Sequence, residues 1–267
     1  MRALPLCAPG LFLWLTASAA EPIPIYDLTG DFLLGGAAPW QAVPAVAPTI
    51  GASAYRVVRL DGVGATLQGE APHKMEPPPE DIWQVDFQPP VEIPEGVERF
   101  AVGGEHELLP RPVRAASPDQ PAYREAAGAV LADLGLPDVK PVLDQLIRAD
   151  LDGDGSDEVL VSLSRYGRGL DERTPGPGAA AGDYSVVFLR RVVEGEVQTE
   201  VLSGVVYPEA EDYTAPLQFS VAAVLDIDGD GVMEVILRDR YYEGIGAIIY
   251  RFSGTGLEQV LSGGWGL

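Results

Sequence analysis

Short apolar or alternating runs separated by turn residues occupy most of the chain, and this pattern is typical of β-strands. In the C-terminal half, the runs fall twice in the same order. The first series predicts strands at 146–149, 158–163, 184–189 and 197–202. The second series predicts strands at 219–225, 234–237, 247–252 and 257–261. We therefore expect a mainly β protein with two antiparallel four-stranded repeats, at about 143–205 and 217–262.

The region 21–115 is rich in proline and glycine, and we expect it to be a small β-rich region of unknown role. It predicts strands at 55–60 and 64–68 around the turn Asp61-Gly62, and another strand at 82–87. The segment from 116 to 267 is then expected to be the repeat domain, and it opens with one helix that packs on the sheet that follows.

Helix signals stand between these two regions. Ser117 or Asp119 can cap the helix, a proline stands in its first turn, and Gly135 can end it. The spacing places five apolar residues on one face, namely Tyr123, Ala127, Val130, Leu131 and Leu134. The stretch from Gly167 to Gly182 is rich in Gly, Pro and Ala, and we expect a mobile surface loop there.

Two nine-residue stretches share the formula D-x-D-G-D-G-x-x-E, and each runs directly into an apolar strand. They begin at Asp150 and at Asp226. Three carboxylates at alternate positions repel one another unless a cation lies between them. Oxygen ligands in a tight glycine-containing loop suit a hard cation, and Ca²⁺ fits best. A plain surface turn also favours Asp and Gly, but two matched copies favour a cation site.

We expect about two Ca²⁺ ions per chain, with all ligands taken from these loops. The predicted ligands are the side chains of Asp150, Asp152, Asp154 and Glu158 with the Ser156 carbonyl, and those of Asp226, Asp228, Asp230 and Glu234 with the Val232 carbonyl. One short loop that supplies every ligand leaves little room for substrate. The cation is therefore expected to be structural.

An EF-hand begins in the same way but needs a glutamate at position twelve and a helix on each side. The twelfth residues here are Val161 and Leu237, and both belong to apolar strands. This excludes an EF-hand and the related dockerin pattern.

In this strand context, the segments 149–161 and 225–236 resemble FG-GAP/VCBS-type repeats, which occur in integrin α-subunits and in secreted bacterial proteins. The resemblance covers roughly the C-terminal half. It implies propeller-like blades that bind calcium between their first two strands. No clear Phe-Gly and Gly-Ala-Pro pair frames the repeats, and two units are too few for a closed propeller. Region 21–115 could contain degenerate blades, or two units could pack face to face.

The formal net charge of −22 argues against binding to nucleic acid or to an anionic membrane. Residues 1–20 have the features of a signal peptide, with Arg2, a short apolar run and a small-residue cleavage site. We therefore expect a secreted or periplasmic protein with no membrane insertion after cleavage. Cys7, the only cysteine, lies in this segment and lacks the context of a lipoprotein signal.

No catalytic or organic-cofactor site is predicted. His73 and His106 are the only histidines, and we expect both to be solvated in loops, so a Ser-His-Asp hydrolase is weakly supported. The expected function is that of an exported calcium-binding module that binds or scaffolds an unknown protein or glycan. The alternatives are a secreted hydrolase of glycans or phosphoesters, with calcium in a supporting role, and an accessory subunit whose partner completes a propeller.

Overall fold

The computed structural model describes residues 21–76, 81–94, 96–167, 174–254 and 256–266. The predicted signal peptide at 1–20 and the middle of the Gly167–Gly182 segment lie outside these residues. Within the described ranges the chain is mainly β, and its strands pair antiparallel in several sheets beside one α-helix. This confirms the mainly β fold class.

The elements follow one another in a simple order. The N-terminal strands are β1 (Ile23–Asp27), β2 (Phe32–Ala37), β3 (Gln41–Ala42), β4 (Ser53–Arg59), β5 (Gly62–Gly69), β6 (His73–Lys74), β7 (Trp83–Gln84), β8 (Phe87–Gln88) and β9 (Phe100–Val102), with a 3-10 helix at Ala47–Thr49. The C-terminal elements are β10 (Arg114–Ala115), α1 (Pro121–Asp133), β11 (Leu143–Ala149), β12 (Glu158–Arg165), β13 (Asp183–Val193), β14 (Glu196–Tyr207), β15 (Gln218–Leu225), β16 (Glu234–Tyr241), β17 (Gly244–Phe252) and β18 (Leu257–Gly266).

Three larger sheets account for the architecture, and none of the described sheets closes on itself. The N-terminal sheet has seven strands in the order β3-β2-β1-β9-β4-β5-β8. The middle part of the chain forms a five-stranded sheet, β10 to β14, and the last part forms a four-stranded sheet, β15 to β18. The last two sheets are simple meanders, and they confirm the eight strands predicted in the C-terminal half.

The four-stranded sheet lies between the other two and is buried on both faces. Along β16, Ile236 packs against the N-terminal sheet, in a core with Ile25 and Phe100. Its neighbours Val235 and Leu237 point the other way and pack against the five-stranded sheet. Successive side chains of a strand lie on opposite faces, so a strand buried on both sides reads as a continuous apolar run. The apolar sequence of β15 and β16 therefore reflects this central position.

Two coverings close the outer faces of this stack. Helix α1 packs Ala127, Val130 and Leu131 on the outer face of the five-stranded sheet, as predicted. At the other end, the 3-10 helix and the segment 83–93 cover the outer face of the N-terminal sheet.

The boundaries of α1 correct two predictions. The N-cap is Gln120, which makes no side-chain capping bond, rather than Ser117 or Asp119. Asp119 instead pairs with Arg124. The end is as predicted: Gly135 has a φ of 101°, and the amide of Leu136 donates to the carbonyl of Leu131 at 2.8 Å. Leu134 lies at the C-cap and is exposed rather than buried.

Two further predictions are wrong. The segment 82–87 is not one strand, because β7 pairs with β6 while β8 pairs with β5, so the chain changes sheets between them. The residues 174–182 do not form a mobile surface loop. Gly178 and Ala179 are buried, and their amides donate to the carbonyls of Thr214 and Glu211 at 2.9 and 2.7 Å.

A buried ion pair joins the N-terminal sheet to the central sheet. Arg238 of β16 is fully buried, and its Nη2 donates to Asp27 of β1 at 2.9 Å. Its Nε donates to Glu98 at 2.7 Å, and Arg240 also donates to Glu98 at 2.6 Å. The two sheets are therefore joined by charge as well as by apolar packing. No helix in the described ranges has the length and apolar character needed to cross a membrane.

Candidate metal centre

Each acidic loop connects the first two long strands of a C-terminal sheet. The first loop, residues 150–157, joins β11 to β12, and the second, residues 226–233, joins β15 to β16. The strands pair up to the mouth of each loop, where Ala149 lies opposite Glu158 and Leu225 lies opposite Glu234. Val161 and Leu237, which an EF-hand would need as glutamates, are fully buried strand residues.

The two loops are folded by the same hydrogen bonds. The Asp150 carboxylate accepts the amides of Gly153 at 2.7 Å and Gly155 at 3.2 Å. The Asp226 carboxylate accepts the amides of Gly229 at 2.7 Å and Gly231 at 2.9 Å. All four glycines have φ between 79° and 91°, a region that favours glycine. The shared formula therefore folds into the same backbone turn twice.

Each loop also ends on a buried glutamate that holds its start. Oε2 of Glu158 accepts the amide of Leu151 at 2.8 Å, and Oε2 of Glu234 accepts the amide of Ile227 at 2.7 Å. The later aspartates of the two loops differ in exposure. Asp152 and Asp154 are exposed in the first loop, whereas the Asp228 side chain is only 9% exposed in the second.

Six of the ten predicted ligands form two compact triads. In each triad one carboxylate oxygen per residue lies within 4.8 Å of the others, and the triads are Asp150, Asp152 and Glu158, and Asp226, Asp228 and Asp230. Either triad could hold a metal ion. Asp154 and Glu234 belong to the loops but not to these triads. The Ser156 and Val232 carbonyls remain predicted ligands, and the amides of these residues donate to Asp154 and Asp230.

Burial and mutual repulsion act on the glutamates. Desolvation, reinforced by the neighbouring aspartates, raises the pKa of Glu158 from 4.5 to about 7 despite the Leu151 hydrogen bond. The same causes raise the pKa of Glu234 from 4.5 to about 9. Glu234 is fully buried, and its Oε1 accepts no hydrogen bond. Such an atom is costly without a partner, and a cation would supply one.

An arginine from a neighbouring strand enters the second loop. Arg251 of β17 follows Tyr250, which pairs with Val235 next to Glu234. Its Nη2 lies 2.5 Å from Asp230 Oδ2, and its Nε lies 3.4 Å from Asp228 Oδ2 and 3.9 Å from Glu234 Oε1. The pKa of Asp230 is lowered, because bonds from the Val232 amide and Arg251 outweigh its desolvation.

The two loops lie side by side and are joined directly. The amide of Met233, in the second loop, donates to the carbonyl of Leu151, in the first, at 2.8 Å. Arg111 crosses the same junction: Nε donates to the Asp150 carbonyl at 2.5 Å, and Nη2 to the carbonyls of Leu151 and Gly231 at 2.9 and 2.8 Å. The pair of loops is thus one structural unit.

The segment between β9 and β10 supplies further contacts that the sequence did not indicate. The carbonyl of Leu108 accepts the amide of Asp226 at 2.9 Å. His106 is not solvated as predicted: its Nε2 lies 3.1 Å from the Asp226 carbonyl oxygen, and its ring lies against Gly229. His73 is exposed, as expected. No sequence motif marks Arg111, His106 or Arg251, so their contacts with the loops are visible only in the tertiary fold.

Both triads, as found among the described residues, consist of carboxylates, and carboxylate oxygens are the ligands that hard divalent cations prefer. Comparisons with protein-family models, with curated proteins and with solved structures find no match to this chain.

Proposed function

We propose that the protein is an exported calcium-binding module in which the two acidic loops each hold one structural Ca²⁺. The observation that carries this proposal is the matched pair of folded loops, one of which contains a buried glutamate oxygen with no hydrogen-bond partner. The likeness to FG-GAP/VCBS-type repeats, and with it the propeller-like character of the two C-terminal sheets, belongs to the same proposal. Export rests on the signal-like sequence at 1–20.

The position of the loops supports a structural role for the cation. They join the first strands of two sheets and meet at the Leu151–Met233 hydrogen bond, and no loop residue lines the four cavities found among the described residues. A cation there neutralises repulsion and fixes both sheets relative to each other. The outer surfaces remain available to bind or scaffold a partner, which we propose to be a protein or a glycan.

Calcium titration of the purified, chelator-treated protein by calorimetry tests the proposal. We expect about two ions per chain and a rise in melting temperature, because cations that bind only the native state stabilise it. Asp152→Ala and Asp228→Ala should each remove one site. Asp157→Ala is the matched control, since Asp157 lies in the first loop but pairs with Arg114 and is not a predicted ligand. Absence of both heat and a thermal shift would exclude the calcium function.

A secreted hydrolase is the second candidate, because one cavity of about 550 Å³ contains two carboxyl groups, Glu98 and Asp144. Desolvation alone would raise the pKa of Glu98, but the charges of Arg238 and Arg240 lower it overall. Desolvation raises the pKa of Asp144, against the Ser164 hydrogen bond. Two carboxyl groups whose pKa values shift in opposite directions suit acid-base chemistry.

Assays against glycoside and phosphoester substrates distinguish the two candidates. Turnover that Asp144→Asn abolishes and Asp138→Asn retains would favour the hydrolase, because Asp138 is exposed outside the cavity. No turnover in the calcium-loaded protein would leave the binding module as the function.

A further inference from the structure

The two acidic loops have the same fold but different cationic neighbours. In the second loop, the Arg251 guanidinium lies within 3.9 Å of oxygens from three carboxylates, those of Asp228, Asp230 and Glu234. Calcium requires these same oxygens at about 2.3–2.6 Å. An ion in this loop would therefore have to compete with the Arg251 guanidinium for the same carboxylate oxygens.

The first loop has an arginine at the matching strand position, but that side chain is directed elsewhere. Arg190 pairs with Val159, next to Glu158, so Arg191 corresponds to Arg251. Arg191 lies 3.4 Å from Gln198 Oε1 and 3.5 Å from the Gly254 carbonyl oxygen, and its guanidinium is 5.5 Å from the Phe252 ring centre. Arg251 therefore places its positive charge among the loop carboxylates, whereas Arg191 places its charge beside Gln198 and Gly254.

Arg111 does not cancel this difference, because it touches both loops through backbone carbonyls. Its closest carboxylate oxygen is Asp150 Oδ2, at 3.9 Å. Burial increases the effect of Arg251: the Asp228 side chain is 9% exposed, so its attraction to Arg251 is screened less than that of a surface pair.

We infer that Arg251 is a built-in counter-ion of the second loop, so that the two loops bind divalent cations unequally and the Asp150 loop fills first. This inference rests on the proposed calcium function. Filling of the second loop requires the Arg251 side chain to leave Asp228 and Asp230. The Arg251 side chain is 40% exposed, so it can move into solvent without unpacking a core.

The experiment is calcium titration of the wild type, Arg251→Gln and Arg191→Gln, each also combined with Asp152→Ala to isolate the second loop. We expect two unequal sites in the wild type and loss of the tighter one in Asp152→Ala. Arg251→Gln should tighten the second-loop site by up to about fivefold, the effect of removing one partly exposed ion pair. Arg191→Gln, the matched control, should leave that site unchanged.

The thermal readout is independent of calorimetry. Without metal, Arg251→Gln should lower the melting temperature, because the carboxylates lose their counter-ion, and calcium should then raise it more than in the wild type. Two equal sites in the wild type, or an unchanged second-loop affinity in folded Arg251→Gln, would overturn the inference while leaving the calcium function intact. Binding in no variant would overturn both, and binding gained only in Arg251→Gln would also overturn the inference, because the Asp150 loop would then hold no ion in the wild type.

Discussion

At the scale of single residues, the glutamate that closes each loop has two tasks. Glu158 and Glu234 begin strands β12 and β16, and their side chains turn back to hold the amides of Leu151 and Ile227. This hydrogen bond needs only one oxygen. The other oxygen could bind a cation, and in Glu234 it is buried without a hydrogen-bond partner. In the proposed calcium site, the same residue would link strand geometry to metal binding.

The raised pKa values of these glutamates predict how stability depends on pH. A carboxyl group whose pKa rises from 4.5 to about 9 on folding binds a proton more tightly in the native state. The metal-free protein should therefore lose stability as pH rises from about 5 to about 9. Calcium binding should strengthen over the same range, because the ligand must lose its proton. Denaturant unfolding with chelator across this range provides the measurement.

Glu234→Gln should flatten the upper part of this pH profile, since the amide keeps an oxygen for Ile227 and has no proton to lose. Glu196→Gln, at an exposed position on β14, should leave the profile as it is. Metal-free stability that is constant or increases toward pH 9 would contradict the proposed burial of the Glu234 charge.

The sequence predicts the loop side chains because their spacing is local, but it does not predict Arg251. Arg251 lies 17 residues after Glu234 and reaches the loop through the pairing of β16 with β17. A shift of one residue in that pairing would place its side chain on the other face of the sheet. Long-range register, rather than motif, therefore decides which charges meet the aspartates.

At the scale of elements, the two loops meet as a pair. Arg111 donates to three carbonyls across the junction, and the Met233 amide donates to Leu151. A change in one loop therefore alters hydrogen bonds made by the other. This contact provides a physical route for coupling between the two proposed cation sites.

Arg111→Met should lower the free energy of unfolding by about 2 kcal/mol, because it leaves partly buried carbonyl oxygens without donors. The variant should also weaken the effect of Asp152→Ala on the calcium affinity of the second loop. A double-mutant cycle from calcium titrations measures this coupling. Arg114→Met is the control, since the Arg114 side chain is more exposed and pairs with the rim residue Asp157 at 3.7 Å. Equal effects of the two substitutions would exclude a special role for Arg111.

Elements that rest on continuous local patterns are predicted well. The apolar runs of β11 to β18 and the Asp61-Gly62 turn fall where the sequence predicts them. The segment 82–87 fails because its alternation continues while its pairing partner changes from β6 to β5. The sequence does not predict strands β1 and β2, because Pro22, Pro24 and the glycines of β2 are uncommon in strands. These strands are stabilised by pairing with each other and, for β1, with the distant β9.

At the scale of the whole molecule, the fold depends on contacts that no local pattern contains. Arg238 lies in an apolar sequence run, yet it is fully buried and reaches Asp27, 211 residues earlier in the chain. Removing one partner of a buried pair leaves an uncompensated charge, which is more damaging than losing a surface pair. The position of the N-terminal sheet on the central sheet therefore depends on this contact.

Asp27→Asn should destabilise the protein by about 3 kcal/mol, because Asn retains the turn hydrogen bonds to Thr29 and Gly30 but loses the charge that balances Arg238. Asp61→Asn removes an exposed partner of Arg59 and should change stability by less than about 1 kcal/mol. Chemical denaturation with calcium held constant gives both values. Equal losses would show that burial adds nothing to the Asp27 contact.

The coverings at the two ends of the stack have a consequence for solubility. Sheets arranged in series, unlike sheets arranged around an axis, present two terminal faces, and a bare apolar face invites another molecule. Helix α1 occupies one of these faces, and the 3-10 helix with the segment 83–93 occupies the other. Because both outer faces are covered, no further sheet can stack on either end of the three. Deleting either one would invite self-association rather than simple loss of a peripheral element.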